Sequence, residues 1–363
     1  MRHWRWAVVL TGIATLVAMP AAIASIDPAD PDIELPTLRE RILASEAQPF
    51  EGLFESRGGA RLPDLGRFED QLKPFTETTR VRLWYAAQDR WRSDDVTIGG
   101  ERGFYRQPEG LWRWTTGDRE AVFVQRTADE PLRLPRIMDL SPTELGRRLL
   151  KESQNETVEM IGARRIAGTV GAGIRITPQA TSTSTITSVE MWAEPDTGLV
   201  LRVEIFTGDG PPIFETGYLE LELKTPSDDV LSFDPSEADD VEIEQRDTLD
   251  PVEQLVDAAF IPLPDELTGL PLRHAVSPAV KSYGSGLTVV TLVAAPRSAL
   301  GRRLAFLPQS ERPWGGSVIL LEASLVNAEV IEIGGLSYIL IGTVTVGELD
   351  RIAAELVAAG GVL

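Results

Sequence analysis

The chain has 363 residues, 43% of them hydrophobic and 25% charged, with no cysteine and a formal charge of −20. That length and apolar content suit one large or two ordinary domains and exclude a disordered chain or a polytopic membrane protein. The absence of cysteine removes disulfides, thiolate metal sites and a cysteine nucleophile, and the acidic balance opposes binding to nucleic acid phosphates or anionic lipid surfaces.

Residues 1–24 read as an export signal. Arg2 and Arg5 precede an uncharged apolar run from Ala7 to Ala18, and Pro20 breaks it. Ala22-Ile23-Ala24 then fits a small-x-small cleavage pattern before Ser25. The alternative is an uncleaved anchor, since Ala7–Ala24 gives 18 residues without a charge. Both readings place the remainder outside the cytoplasm, in the periplasm or cell envelope. Cleavage would take the charge to −22.

Leu35 to Ser45 is predicted helical, with Leu38, Ile42 and Leu43 on one stripe. Six strands follow, at 50–56, 79–86, 90–97, 103–107, 111–115 and 120–126, separated by turn residues such as Asp89, Gly99-Gly100 and Pro108-Glu109-Gly110. Ser141-Pro142-Thr143-Glu144 places a capping hydroxyl, a proline and an N3 acid at the start of a helix over 142–150. Further strands are expected at 156–161, 164–168, 171–177, 187–194, 199–206 and 212–224. The Ser/Thr-rich run 181–188 reads as a loop and strand start. Residues 226–266 hold 14 acidic residues and a single basic one, Arg246, and read as an acidic linker with a short helix from Asp250. From 267 the pattern is a small α+β domain: strands at 286–295, 317–324, 328–335 and 336–345, then a helix capped by Thr345 and Glu348 and ended by Gly360.

The segment VEMWAEPDTGLVLRVEIF, residues 189–206, carries the clearest alternation. Val189, Met191 and Ala193 share one face, and Leu199, Leu201, Val203 and Ile205 share one after the Asp196-Thr197-Gly198 turn. Glu190, Trp192, Arg202 and Glu204 fall on the other side. Val81, Leu83 and Tyr85 alternate in the same way against Arg80, Arg82 and Trp84. An antiparallel sheet with one apolar face must be covered, and two short helices are a sparse cover. An apolar interior able to take a ligand follows, with a fully packed core as the alternative. Alternation gives Val81, Leu83, Tyr85, Val189, Met191, Leu201 and Val203 as ligand-lining candidates. Trp91, Trp112 and Trp114 join them as aromatics of the same sheet region.

Catalytic signatures are lacking. His274 is the one histidine beyond residue 24, and no G-x-S-x-G elbow, H-E-x-x-H run or phosphate-binding glycine loop occurs. The expectation is a protein that is not an enzyme and uses no cofactor or metal.

Four stretches resemble the LolA-like and RseB (MucB) family: TRVRLWYAAQDRWRSDD, ERGFYRQPEGLWRWT, LPRIMDLSPTELGRRLL and, most specifically, the VEMWAEPDTGLVLRVEIF hairpin. The tail LSYILIGTVTVGELDRIAAEL resembles the C-terminal domain of RseB-like and actinobacterial relatives. The resemblance covers residues 35–225 well and 265–360 more weakly. It implies an open half-barrel sheet plugged by helices over 35–225, joined through the linker to the small α+β domain of 267–363. It also implies an apolar pocket for an acyl lipid or lipoprotein and, in the RseB-like branch, contact with a membrane anti-sigma factor in envelope stress. A carrier without signalling and a ligand-free interaction module remain the alternatives. This sequence has no lipobox cysteine, so covalent lipidation is not expected.

Overall fold

The computed structural model describes residues 28–59, 76–97, 100–117, 119–125, 136–235, 241–246, 262–297, 309–312 and 317–360. The expected export signal and the helix expected from Asp250 lie outside these residues.

Alternating apolar residues and closely spaced turns build a twelve-stranded sheet. Its strands are β1 (Phe50–Gly58), β2 (Thr78–Ala87), β3 (Arg90–Thr97), β4 (Gly100–Gln107), β5 (Gly110–Thr115), β6 (Glu120–Gln125), β7 (Thr157–Ile166), β8 (Thr169–Thr177), β9 (Ser188–Ala193), β10 (Val200–Phe206), β11 (Phe214–Glu222) and β12 (Glu242–Arg246). The order is β12-β6-β5-β4-β3-β2-β1-β11-β10-β9-β8-β7. β12 and β7 are its two edges and do not pair, so the sheet is open, an antiparallel half-barrel. β12 is the exception to antiparallel pairing, since it lies parallel to β6. It comes from the acidic segment, so that stretch is in part a sheet edge rather than wholly a linker.

Two helices lie over one face, hereafter the inner face. α1 (Leu35–Ala44) has proline in its first turn and buries Leu38 and Ile42. α2 (Pro142–Glu152) starts as expected, with the Ser141 hydroxyl accepting the Glu144 N–H. Gly146 lets α2 approach closely, because a Cβ there would stand 2.7 Å from Val200 Cγ1.

A second sheet of eight strands follows. It comprises β13 (Glu266–Leu267), β14 (Leu270–Ser277), β15 (Val280–Ser285), β16 (Thr288–Pro296), β17 (Gln309–Glu311), β18 (Ser317–Ala323), β19 (Val326–Ile333) and β20 (Leu336–Gly342), in the order β13-β14-β15-β16-β20-β19-β18-β17. α3 (Val346–Ala358) packs Leu349, Ile352 and Leu356 onto it, with the Thr345 hydroxyl accepting the Glu348 N–H. Gly286-Leu287 forms the tight turn between β15 and β16, while Gly284 and Ser285 still pair in β15, and both glycines have positive φ. His274 lies on β14 and is exposed.

The Ser/Thr-rich run has a role its composition does not announce: it joins the two sheets. The Thr185 N–H donates to the Thr343 carbonyl at 3.0 Å, and the Thr345 N–H donates to the Thr183 carbonyl at 2.8 Å. Ser184 and Val344 form a β-bridge between these bonds. The Thr185 hydroxyl donates to the Leu325 carbonyl at 2.6 Å. One Glu156 carboxylate completes the junction, accepting the Leu287 N–H at 3.0 Å and the Gln179 N–H at 2.7 Å.

Candidate functional site

Cross-strand register divides the ten candidate residues between two faces. Residues directly opposite on neighbouring strands point to the same side. Phe50 pairs with Tyr85, and Tyr85 with Trp91. These belong to the inner face, where Phe50, Phe54, Val81, Leu83, Tyr85, Met138, Leu199 and Tyr218 form one buried cluster with Trp91 packed against it. Val189, Met191 and Val203 lie in the adjoining inner cluster with Ile174 and Ile176, beneath Leu38 and Ile42 of α1 and Leu150 of α2. Seven candidates, Val81, Leu83, Tyr85, Trp91, Val189, Met191 and Val203, therefore share the helix-covered side.

Three do not. Trp84 pairs with Arg92, Arg92 with Tyr105, and Tyr105 with Trp112, all on the outer face. Trp114 follows Trp112 at the next same-side position. Both rings meet Phe233, at centroid distances of 5.4 and 5.9 Å, and Phe233 also contacts Tyr105 at 4.9 Å. Phe233 follows a single helical turn, Asp228–Leu231, anchored by Arg90 to Asp228 at 2.9 Å. The two tryptophans are thus covered by a segment more than a hundred residues downstream. Their rings are tilted by 56° and 39° to Phe233.

Leu201 is the third. A β-bulge between Val200 and Arg202 interrupts the alternation of β10. Val200 consequently joins Val203 and Ile205 on the inner side, while Leu201 packs with Trp192 and Ile166 on the other. The expectation that Leu199, Leu201, Val203 and Ile205 share a face fails at Leu201 for this reason.

The outer face is otherwise charged, as the alternation of Arg and Glu requires. Arg164 reaches Glu204 at 2.8 Å, Glu204 meets Arg202 at 2.6 Å, and Arg202 also binds Glu215. Glu215 meets Arg57 at 3.1 Å, and Glu55 lies between Arg57 at 2.6 Å and Arg80 at 2.7 Å. This ladder crosses four neighbouring strands, β10, β11, β1 and β2, and reaches β7 through Arg164. Each exposed pair contributes little alone, but together they fix which face can turn to water. The Arg80 and Arg57 guanidiniums hold the Glu55 carboxyl below its ordinary value, with burial opposing them. The Trp192 indole N–H donates to the Gly162 carbonyl at 3.0 Å, and Arg164 stacks on its ring at 5.1 Å.

The inner face keeps a polar band where helices meet sheet. The Tyr85 hydroxyl donates to the Glu46 carbonyl at 2.8 Å, just beyond α1, and burial pushes its pKa up to about 12. The Tyr218 hydroxyl lies 3.0 Å from the Thr143 hydroxyl of α2, and burial pushes its pKa up as well. Arg147 pairs with Glu144, whose carboxyl is pushed up by burial against the pull of Arg147. The two tyrosine bonds tie the covers to the strands beneath. Tyr218→Phe leaves the Thr143 hydroxyl with its bond to the Val200 carbonyl alone. We expect it to cost about 1 kcal/mol in urea unfolding.

No family model matches the chain, and no curated protein matches it by sequence. Among solved structures it is similar to MucB in complex with MucA(peri), at 16% identity and a TM-score of 0.48, over 88% of this chain and 97% of that one. It is similar to the Pseudomonas aeruginosa MucA/MucB complex structure at 17% identity and a TM-score of 0.47, over 87% of this chain and 95% of that one. It is also similar to LprF from Mycobacterium bovis, at 11% identity and a TM-score of 0.29, over 55% of this chain and 99% of that one.

Proposed function

We propose that this is an extracytoplasmic, non-enzymatic regulator of the RseB-like kind. It holds an acyl chain or lipidated ligand between the inner face and its two helices, and reports occupancy to a membrane partner such as an anti-sigma factor. The observation that carries the reading is the sparse cover. A twelve-stranded sheet turns a continuous apolar face, with Val81, Leu83, Val189, Met191 and Val203 at its centre, toward two short α-helices and the single 3-10 turn Ile137–Leu140 among the described residues. The family-like stretches at 79–95, 101–115, 134–150 and 189–206 support it independently. Trp112, Trp114 and Leu201 are outside the proposed ligand interior.

The helices are the parts able to yield. They hold to the strands by side-chain packing and a few hydrogen bonds, whereas the strands are fixed by continuous ladders. A chain entering beneath them would replace one set of apolar contacts with another. It would change partner binding only by favouring one arrangement of the covers over the other. The junction through 178–187 connects β8 and β9, which line the interior, to the second sheet.

The experiment compares partner binding by delipidated and fatty-acid-loaded protein. The similar MucB structures include complexes with MucA, so the extracytoplasmic part of a membrane protein of that kind is the first partner to try. A several-fold difference in affinity is expected. Equal affinity would contradict the sensing role, and rapid transfer of the ligand between vesicles would then assign a carrier.

A further inference from the structure

Among the described residues of the second sheet, one fully buried charge is left without a hydrogen-bond partner. Lys281 reaches Asp265 and the Leu263 carbonyl, each at 2.7 Å, and Glu348 is held by Arg351. Glu329 on β19 is 0% exposed, and neither carboxylate oxygen has a hydrogen-bond partner. Its cross-strand neighbours are Leu320 on β18 and Leu340 on β20. Leu340 belongs to the apolar cluster beneath α3, and Leu320 packs against it.

Two charged groups face Glu329. Asp350 comes from α3, and Arg312 comes from just beyond β17. The flanking strands present the two leucines directly opposite and, on the same face two residues from Leu340, Tyr338, whose hydroxyl pKa is pushed up by burial. Arg312 Nε lies 3.1 Å from Asp350 Oδ1, but that pair is not aligned as a hydrogen bond, and Arg312 Nη2 is buried without a hydrogen-bond partner as well. Two carboxyls thus share one cation in a site with little water. If both ionised, the cluster would carry an uncompensated negative charge, which a low-dielectric interior strongly disfavours. One proton makes it neutral.

We propose that Glu329, Asp350 and Arg312 form a proton-operated lock between α3 and the second sheet, in which the docked helix retains one proton and its loss loosens the helix. Burial first, and the Asp350 charge second, push the Glu329 carboxyl up to about 7, with Arg312 opposing them. A carboxyl raised in the folded state adds stability that is complete below its unfolded value of 4.5. That stability falls as pH rises and is gone once pH passes about 7. The effect would reach the inter-sheet junction, because Thr345, the cap of α3, donates its N–H to the Thr183 carbonyl.

The test is hydrogen exchange of the α3 amides in the full protein, near pH 5.5 and near pH 8, corrected for intrinsic exchange chemistry. Opening of α3 should be about 30-fold more frequent at the higher pH. Glu329→Gln, which keeps the shape and cannot ionise, should give the same opening at both. Equal protection of the native protein at the two pH values would overturn the lock, as would a pH dependence that survives in Glu329→Gln. Should that variant fail to fold, Asp350→Asn provides the second reading. Removing the neighbouring charge should move the midpoint of the native pH dependence downward, and an unmoved midpoint would contradict the cluster.

Discussion

Gly198→Val should destabilise the first sheet by at least about 3 kcal/mol and detach α1 from it. Gly198 closes the hairpin between β9 and β10 with φ +74°, a conformation that β-branched residues strongly avoid. Its surroundings leave no room either. A Cβ there would collide with the backbone of Arg41 and Ile42 in α1, and backbone cannot swing aside as a side-chain tip can. The turn is also bonded to that helix, since Arg41 Nη1 donates to the Pro195 carbonyl at 2.6 Å. Glu194 fixes the turn from within, accepting the Thr197 N–H at 2.7 Å and its hydroxyl at 2.6 Å. The Pro-Asp-Thr-Gly tip is thus the seat of a covering helix. Urea unfolding measures the loss, and exchange of the α1 amides shows whether the helix has left. Gly208→Ala is the control. That glycine has open space around it and should change stability by no more than about 0.5 kcal/mol.

Gly342→Ala should have a comparable effect on the second sheet, again about 3 kcal/mol or more. An added Cβ would meet the Val289 carbonyl oxygen and stand 2.7 Å from Val290 Cα, both backbone atoms of β16. Relief requires the end of β20 to move away. That end leads directly into Thr343, whose N–H donates to the Val289 carbonyl at 2.9 Å and whose carbonyl receives the Thr185 N–H. Loss of stability should therefore be accompanied by faster exchange in residues 183–187, although these lead into β9 of the other sheet. Gly347→Ala makes the contrast. Its site is open and lies in the first turn of α3, so alanine should be neutral or stabilising by up to about 1 kcal/mol. If Gly342→Ala lowered stability without touching 183–187, the junction would not transmit what happens in β20.

Local chemistry made much of the fold legible. Ser141 with Glu144, and Thr345 with Glu348, signal helix starts through short-range bonds that any chain can make. Strand positions were legible because period-two alternation and turn residues are also local. The face assignments failed where something non-local decides. Leu201 is displaced by a one-residue bulge, which reverses alternation from that point without any mark in composition. Strand register puts Trp112 and Trp114 on the outer face, where Phe233 covers them, and apolar character alone cannot tell which side of a sheet will be covered. The β12 edge was hidden by the acidity of its segment, since a strand on a sheet edge needs backbone bonds and no apolar stripe. The junction through Thr183–Thr185 is likewise made mostly by backbone, which explains why a Ser/Thr-rich run read as an ordinary loop. Glu329 reads from sequence as one more alternating acid. Its isolation becomes visible only when Leu320, Leu340 and α3 close around it.

Native mass spectrometry of the protein purified from its envelope, followed by denaturing lipid extraction, tests the proposed interior most directly. A one-to-one acyl-bearing species is expected, and a brominated fatty acid exchanged into it should quench Trp91 while leaving Trp112 and Trp114 bright. A protein that arrives with an apo mass and takes up no labelled fatty acid would overturn the proposed interior, leaving the inner face as a filled core.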